Sequence, residues 1–222
     1  MKAIILAGGK GKRLRPVTDY VPKSLIPINN IPIIEWQIKY LKRFGIKEVI
    51  ICTGYKAEMI ENYLGKKNLG IKINFSIEKS PLGTGGAIKK ASKLIKERSF
   101  FVINGDIITN IDLKKLEKRN NSIASIEVRT KFGILDVHED KIMDFREKKE
   151  IGNVWMNAGL YYLSKDMIRD LPSKGDVEKT TFPKYAKKGQ LNTVSFNSVK
   201  WFSIDSFKDV EDASCIIDKI IR

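Results

Sequence analysis

The chain has 222 residues, 42% hydrophobic and 30% charged, with 41 Lys and Arg against 26 Asp and Glu, a formal charge of +15. That length can bury a core without disulfide or metal staples, and no apolar run approaches a membrane span. The basic residues are scattered rather than blocked, which reads as a lysine-rich surface and argues against a nucleic-acid interface. The Lys- and Ile-rich composition fits a thermophile. The apolar start, 1–6, is short and runs straight into a glycine loop, so no signal peptide is expected and the protein reads as cytoplasmic. Cys52 and Cys215 have no second Cys or His at metal-ligand spacing and read as two buried free thiols.

Residues 2–7 form a short apolar run ending in glycines, which predicts a buried strand. The stretch 33–44 places Ile34, Ile38 and Leu41 on one helical face, and Gly45 stops it. A strand at 48–52, a helix at 57–64 and a strand at 71–77 follow. The next helix, 84–96, turns Ala87, Ile88, Ala91, Leu94 and Ile95 inward. A strand at 100–103 stops at Asn104-Gly105-Asp106. Strands alternating with helices predict a parallel sheet covered on both faces, joined by right-handed crossovers. From 122 the character changes. Strands at 122–128, 134–137, 141–145 and 155–162 have little helix between them, and this mixed region is expected to wall a pocket. The single histidine, His138, falls at a hairpin tip. Helices at 165–170 and 178–187, a strand at 191–196 and a helix at 208–221 complete the expected order. With no linker and no repeat, one domain over 1–222 is expected.

The first strand opens into Leu6-Ala7-Gly8-Gly9-Lys10-Gly11-Lys12-Arg13-Leu14-Arg15-Pro16. Glycines there let backbone N–H groups approach phosphates, and the basic residues add charge. A P-loop would need Ser or Thr after Gly11-Lys12, and a dinucleotide fingerprint would need a small residue where Leu14 stands, so this is an anion loop of neither kind. In Pro22-Lys23-Ser24-Leu25-Ile26-Pro27 the prolines stiffen the segment and fix Lys23, which could stabilise charge on a transferring phosphoryl group.

These two segments resemble the signature of the sugar-phosphate nucleotidylyltransferase family: LAGG, Gly-x-Arg-Leu-x-Pro, a Thr, then Pro-Lys and a second Pro. The resemblance continues through 78–87, Asn104-Gly105-Asp106, Phe132-Gly133, Glu147-Lys148 and Asn157-Ala158-Gly159-Leu160-Tyr161. It implies an α/β fold with a doubly wound, mostly parallel mixed sheet, related to the dinucleotide-binding folds. No hexapeptide repeat for a C-terminal β-helix is present, as in short members such as heptose- and mannose-phosphate guanylyltransferases. The implied reaction joins a nucleoside triphosphate to a sugar 1-phosphate and releases pyrophosphate. These two small molecules are the implied partners, without nucleic acid or membrane, and a homo-oligomer is compatible.

Carried over residue by residue, the resemblance implies that Leu6 and Ala7 bind the nucleotide and that Gly8, Gly9 and Gly11 cradle the triphosphate. Arg13 and Lys23 neutralise it, and Asp106 binds magnesium. Glu78, Gly83 and Thr84 lie against the base. Gly133, Glu147 and Asn157 hold the sugar, and Lys148 its phosphate. Many members carry their second metal ligand in an Asp, an apolar residue, then Gly-Thr. Here the run is Trp201-Phe202-Ser203-Ile204-Asp205-Ser206-Phe207-Lys208-Asp209. Counting back from Asp209 selects Ser203, a poor magnesium ligand, whereas the variant of some cytidylyl- and guanylyl-transferring relatives selects Asp205, the reading adopted. A carboxylate at Glu78 offers acceptors only, matching the adjacent N1–H and 2-amino donors of guanine, so GTP is the expected donor. Two rivals are a cytidylyltransferase acting on an alcohol phosphate such as phosphocholine and a non-catalytic nucleotide- or RNA-binding relative.

Overall fold

The computed structural model describes residues 1–130, 132–147 and 150–221. In chain order the elements are β1 (Lys2–Leu6), β2 (Pro27–Ile28), β3 (Ile31–Pro32), α1 (Ile33–Arg43), β4 (Glu48–Thr53), α2 (Ala57–Gly65) and β5 (Lys72–Ile77). Then come α3 (Gly83–Ala91), β6 (Ser99–Asn104), β7 (Ile107–Thr109), α4 (Leu113–Leu116), β8 (Ser122–Arg129), β9 (Ile134–His138) and β10 (Lys141–Arg146). The chain closes with β11 (Glu150–Ser164), α5 (Thr181–Lys187), β12 (Asn192–Phe196), β13 (Trp201–Ser203), α6 (Phe207–Ser214) and α7 (Ile217–Ile221).

Seven strands form the central sheet in the order β12-β8-β11-β6-β1-β4-β5. All pairs are parallel except those of β11, which runs antiparallel to both β6 and β8. The alternation of β1 explains why both faces are covered. Ala3 and Ile5 join one core with Ile34, Ile38 and Leu41 of α1 and Ile60 of α2. Ile4 joins the other with Ala87, Ile88 and Ala91 of α3 and Phe182 of α5. A strand buried on both faces reads as a continuous apolar run, as Ala3-Ile4-Ile5 does. A third, satellite core gathers Leu14, Ile26, Ile33, Trp36, Ile108 and Ile204 with Ala213, Ile217 and Ile220 of the C-terminal helices.

Some expectations are corrected. The helix expected over 84–96 ends as α at Ala91 and continues as a 3-10 turn, Ser92–Leu94. The tighter winding rotates Leu94 off the buried face, and it is exposed. The helix expected from 178 begins at Thr181, after turn bonds from the Lys179 N–H to Asp176 O and from the Thr180 N–H to Val177 O. The single helix expected over 208–221 is two, α6 and α7. Their break leaves Cys215 exposed, so only Cys52 is a buried thiol. The hairpin of β9 and β10 stands apart from the main sheet, with Leu135, Val137, Ile142 and Phe145 exposed and His138 at its tip.

The chain builds β1, β4 and β5 in one direction, then returns through α3 to β6 on the other side of β1. The loops after β1 and β6 therefore diverge, and in such sheets the crevice between them receives ligands. Gly105 makes the crevice possible. Its N–H donates to the Leu6 carbonyl over 3.0 Å, and a Cβ at that position would lie 2.3 Å from the same oxygen. Gly105→Ala must therefore part the ends of β1 and β6. We expect a loss of about 2–4 kcal/mol in urea unfolding; wild-type stability would show that this approach is not needed.

Candidate functional site

A cleft of about 460 Å³ opens at the carboxyl ends of β1, β4 and β6. One side is the glycine loop, Leu6 to Leu14. Gly11 has φ +62 there, and an added Cβ would press within 3.0 Å of Lys23 Cβ and of Thr18 Cγ2. The loop closes on itself where Gly11 O accepts the Leu14 N–H at 2.9 Å and the Thr18 hydroxyl at 2.9 Å. Leu14 is fully buried in the satellite core, which fixes the loop beneath Arg13.

The floor is a cluster of four charges. The Lys23 ammonium donates to Asp106 Oδ2 at 2.6 Å and to Asp205 Oδ1 at 2.7 Å. Arg13 reaches the same Asp205 oxygen at 2.8 Å, from a side chain 75% exposed. The Ser203 hydroxyl donates to the other Asp205 oxygen at 2.8 Å. Burial pushes the Asp205 carboxyl up, but hydrogen bonds from Lys23 and Ser203, with the charges of Lys23 and Arg13, outweigh it and hold the carboxyl below its ordinary range. Asp205 is placed by its neighbours. Ile204 is fully buried, and the Asp205 N–H donates to Asp209 Oδ2 at 3.0 Å. Asp209 and Ser206 form the capping box that starts α6. Asp106 follows Gly105, and its carbonyl accepts the Ile204 N–H at 2.9 Å.

The cleft is also lined by Glu78, Gly83 and Thr84. Glu78 Oε2 accepts the Leu82 N–H at 3.0 Å, while an added Cβ at Gly8 would come within 3.3 Å of Oε1. Burial raises the Glu78 carboxyl above its ordinary value, against the Leu82 hydrogen bond and the Lys90 charge. Cys52 also lines the cleft, but burial pushes its thiol far up, which makes it a poor nucleophile. Gly83 has φ +73 and packs on Gly175, where an added Cβ would meet the Gly175 carbonyl carbon at 2.6 Å. Thr84 lines the cleft, and its hydroxyl donates to Glu178 and accepts the Val177 N–H at 2.9 Å.

The residues assigned to the sugar are more scattered. Asn157, on β11, donates to the Tyr161 hydroxyl at 2.9 Å. Gly133 and Glu147 are neighbours beside the β9–β10 hairpin, since an added Cβ at Gly133 would meet Glu147 Oε2 at 3.2 Å. Neither lines the 460 Å³ cleft. Lys148 lies outside the described residues. The cleft also contains Asn104 and Asp176, and behind it stands Glu178. None was anticipated as a site residue. Asp176 and Glu178 belong to a segment that reaches the site only through the packing of Gly175 on Gly83 and Gly85, and nothing in their local spacing announces that.

A family model described as nucleotidyl transferase matches residues 2–219. The D-glycero-alpha-D-manno-heptose 1-phosphate guanylyltransferase of Campylobacter jejuni is 41% identical over 98% of this chain and 91% of its own length. The mannose-1-phosphate guanylyltransferase catalytic subunit beta of Danio rerio is 34% identical over 100% of this chain, which spans 66% of that longer protein. The crystal structure of HddC from Yersinia pseudotuberculosis complexed with GMP-PN superimposes with a TM-score of 0.76 at 33% identity, covering 96% of this chain and 97% of that one.

The raised Glu78 carboxyl makes a stability prediction. A carboxyl whose folded value lies above its unfolded value favours folding at low pH and loses that advantage as pH rises through the unfolded and then the folded value. Glu78→Gln removes the ionisation. Its melting temperature relative to wild type should therefore rise as pH climbs past the ordinary glutamate range. A difference independent of pH in thermal scans would show that Glu78 ionises as freely in the fold as in the unfolded chain.

Proposed function

Because the chain belongs to the nucleotidyl transferase family, we propose that it transfers a guanylyl group from GTP to a sugar 1-phosphate of manno configuration, releasing pyrophosphate. The observation that carries this reading is the meeting of a glycine loop, Lys23, Asp106 and Asp205 at the switch point of the sheet. The names of the Campylobacter and Danio relatives support the guanylyl donor and the manno acceptor, and the GMP-PN complex supports the guanine nucleotide. The same names favour a sugar acceptor over an alcohol phosphate.

In this reading an oxygen of the sugar phosphate attacks the α-phosphorus of GTP. The bond to the bridging oxygen of the β-phosphate breaks in line, and that oxygen leaves with pyrophosphate. Such a step needs positioning and charge neutralisation more than covalent help from the protein. Backbone N–H groups of the loop from Gly8 to Gly11 hold the triphosphate. Arg13 and Lys23 take up charge on the departing pyrophosphate. Arg13 is suited to this because it is exposed, and its present bond to Asp205 is a weak surface-type pair. Glu78 lies where a base enters beside Gly8, and its Oε1 offers an acceptor to guanine N1–H or the 2-amino group. Gly83 faces the base from the other side. Gly133, Glu147 and Asn157 are proposed to hold the sugar.

A magnesium ion suits the floor of the cleft. Two carboxylate oxygens, Asp106 Oδ2 and Asp205 Oδ1, already converge within 2.7 Å of one ammonium. Hard oxygen donors of this kind, two from protein and the rest from water and phosphate, are what magnesium prefers. Asp106 and Asp205 would hold it. Bound there, it would supply positive charge to the α-phosphate and lower the repulsion between two anionic substrates.

The test is pyrophosphate release over a matrix of GTP, UTP, dTTP, CTP and ATP with mannose, manno-heptose and glucose 1-phosphates and with phosphocholine. GTP with a manno acceptor should exceed the other pairs by about tenfold or more, the scale of one or two charged hydrogen bonds. Preference for UTP or dTTP would overturn the guanylyl reading, and turnover with phosphocholine alone would overturn the sugar acceptor.

A further inference from the structure

We propose that Glu178 is a positioning residue that ties the nucleobase wall of the cleft to the sugar-facing strand; this rests on the reading above for what the two sides bind. One carboxylate serves two donors from distant parts of the chain. One of its oxygens accepts the Thr84 hydroxyl, and the other accepts the Tyr161 hydroxyl at 3.2 Å. Thr84 follows Gly83 on the cleft wall. Tyr161 lies on β11, fully buried, and its hydroxyl accepts Asn157 Nδ2 at 2.9 Å. The chain of bonds therefore runs from the base side, through Thr84, Glu178 and Tyr161, to Asn157.

The hydrogen positions explain why this must be a carboxylate. The Thr84 oxygen already accepts the Val177 N–H at 2.9 Å, so its own hydrogen is directed to Glu178. The Tyr161 oxygen already accepts Asn157, so its hydrogen is directed to Glu178 as well. Both neighbours are donors, and only a carboxylate presents two acceptors and no donor. A glutamine of the same size would point its NH₂ at one of the two hydroxyls and leave that hydroxyl's own hydrogen without the acceptor it now has. Burial, with the Glu178 charge second, raises the Tyr161 hydroxyl far above its ordinary value, so Tyr161 keeps the proton that the link requires. The backbone is tied in the same place. Gly175 O accepts the Gly85 N–H at 3.0 Å, and Gly175 N–H donates to Leu82 O at 2.7 Å. The segment carrying Glu178 thus sets the position of the loop from Leu82 to Gly85, and the side chain extends that control to β11.

The experiment compares Glu178→Gln, Thr84→Val and Tyr161→Phe with wild type. It measures the dissociation constant of a nonhydrolysable GTP analogue (or the analogue of whichever triphosphate the wild type uses best), the KM for the sugar 1-phosphate, and the melting temperature. Glu178→Gln should weaken the analogue and raise the sugar-phosphate KM, each by about tenfold, the scale of one lost hydrogen bond to a charged group. Thr84→Val should move mainly the analogue. Tyr161→Phe should move mainly the sugar phosphate and leave the analogue within about twofold. If Glu178→Gln lowers the melting temperature but changes neither ligand by more than about twofold, the residue is only structural and the proposal fails. It also fails if Tyr161→Phe weakens the analogue as much as Glu178→Gln does. Should Glu178→Gln not fold, the contrast between the other two variants decides. If no sugar phosphate turns over with wild type, the proposed reaction fails, and the analogue arm alone still accepts or rejects the role of Glu178.

Discussion

The site depends on one ammonium held between two carboxylates. Lys23 meets Asp106 and Asp205 at 2.6 and 2.7 Å, and without a cation between them the two acids would repel at close range. The three residues come from the segment after the glycine loop, the end of β6 and the turn before α6. Each adjoins an anchor in apolar or close-packed surroundings. Ile26 follows Lys23 by three positions, Ile108 follows Asp106 by two, and Ile204 precedes Asp205; all three belong to the satellite core, with Leu14 beside Arg13. The core's contribution is therefore spatial. It holds four charged side chains together that would otherwise separate in water. Arginine, lysine and two aspartates so placed can exchange partners when anions of a substrate arrive, because each charge already has a local counter-charge.

The sheet supplies the other constraint. β1 is flanked on both sides by parallel strands, and the chain changes direction at β6, so the loops after these strands part and leave a crevice. Gly105 allows the closest approach at the root of that crevice, and Gly11 and Gly83 take positive φ at its two walls. Glycine is needed at these three points for separate reasons: a carbonyl in contact, a tight loop at positive φ, and a backbone packed on Gly175. β11, which runs antiparallel to its neighbours in the central sheet, pairs Tyr161 with Val102 of β6 and carries Asn157 past the end of that strand, which brings a second wall up to the first.

Much of this was legible in the sequence because it is local. Continuous apolar runs in β1, β4 and β6 announce strands buried on both faces. The glycines and basic residues of 8–13 and the prolines around Lys23 are contiguous, and their chemistry can be read without a fold. Asp205 was readable only through the resemblance to some cytidylyl- and guanylyl-transferring relatives, since counting back from Asp209 selects Ser203; in the structure Asp205 and Asp106 share Lys23, and Ser203 donates to Asp205. What was not legible depends on closure in three dimensions. β7 and β13 pair over three residues each, too short to leave a periodic signal. The apolar spacing of 208–221 runs unbroken through the break between α6 and α7. The change to 3-10 winding that exposes Leu94 has no marker in the sequence. Glu178 looks like a helix-start charge until Thr84 and Tyr161 are seen to converge on it.

In the proposed reaction Asp106 and Asp205 act as a pair at the reacting phosphate. The most direct measurement is the turnover number, with saturating magnesium, of Asp106→Asn, Asp205→Ala and Ser203→Ala, each shown by its melting curve to be folded. Both aspartate variants should lose about a thousandfold or more, the scale of removing a principal electrostatic group. Ser203→Ala, which loses only one hydrogen bond to Asp205, should fall by less than about tenfold. A severe loss in Ser203→Ala with near-normal turnover in Asp205→Ala would contradict this pairing, and would move the second acidic position two residues toward the start of the chain.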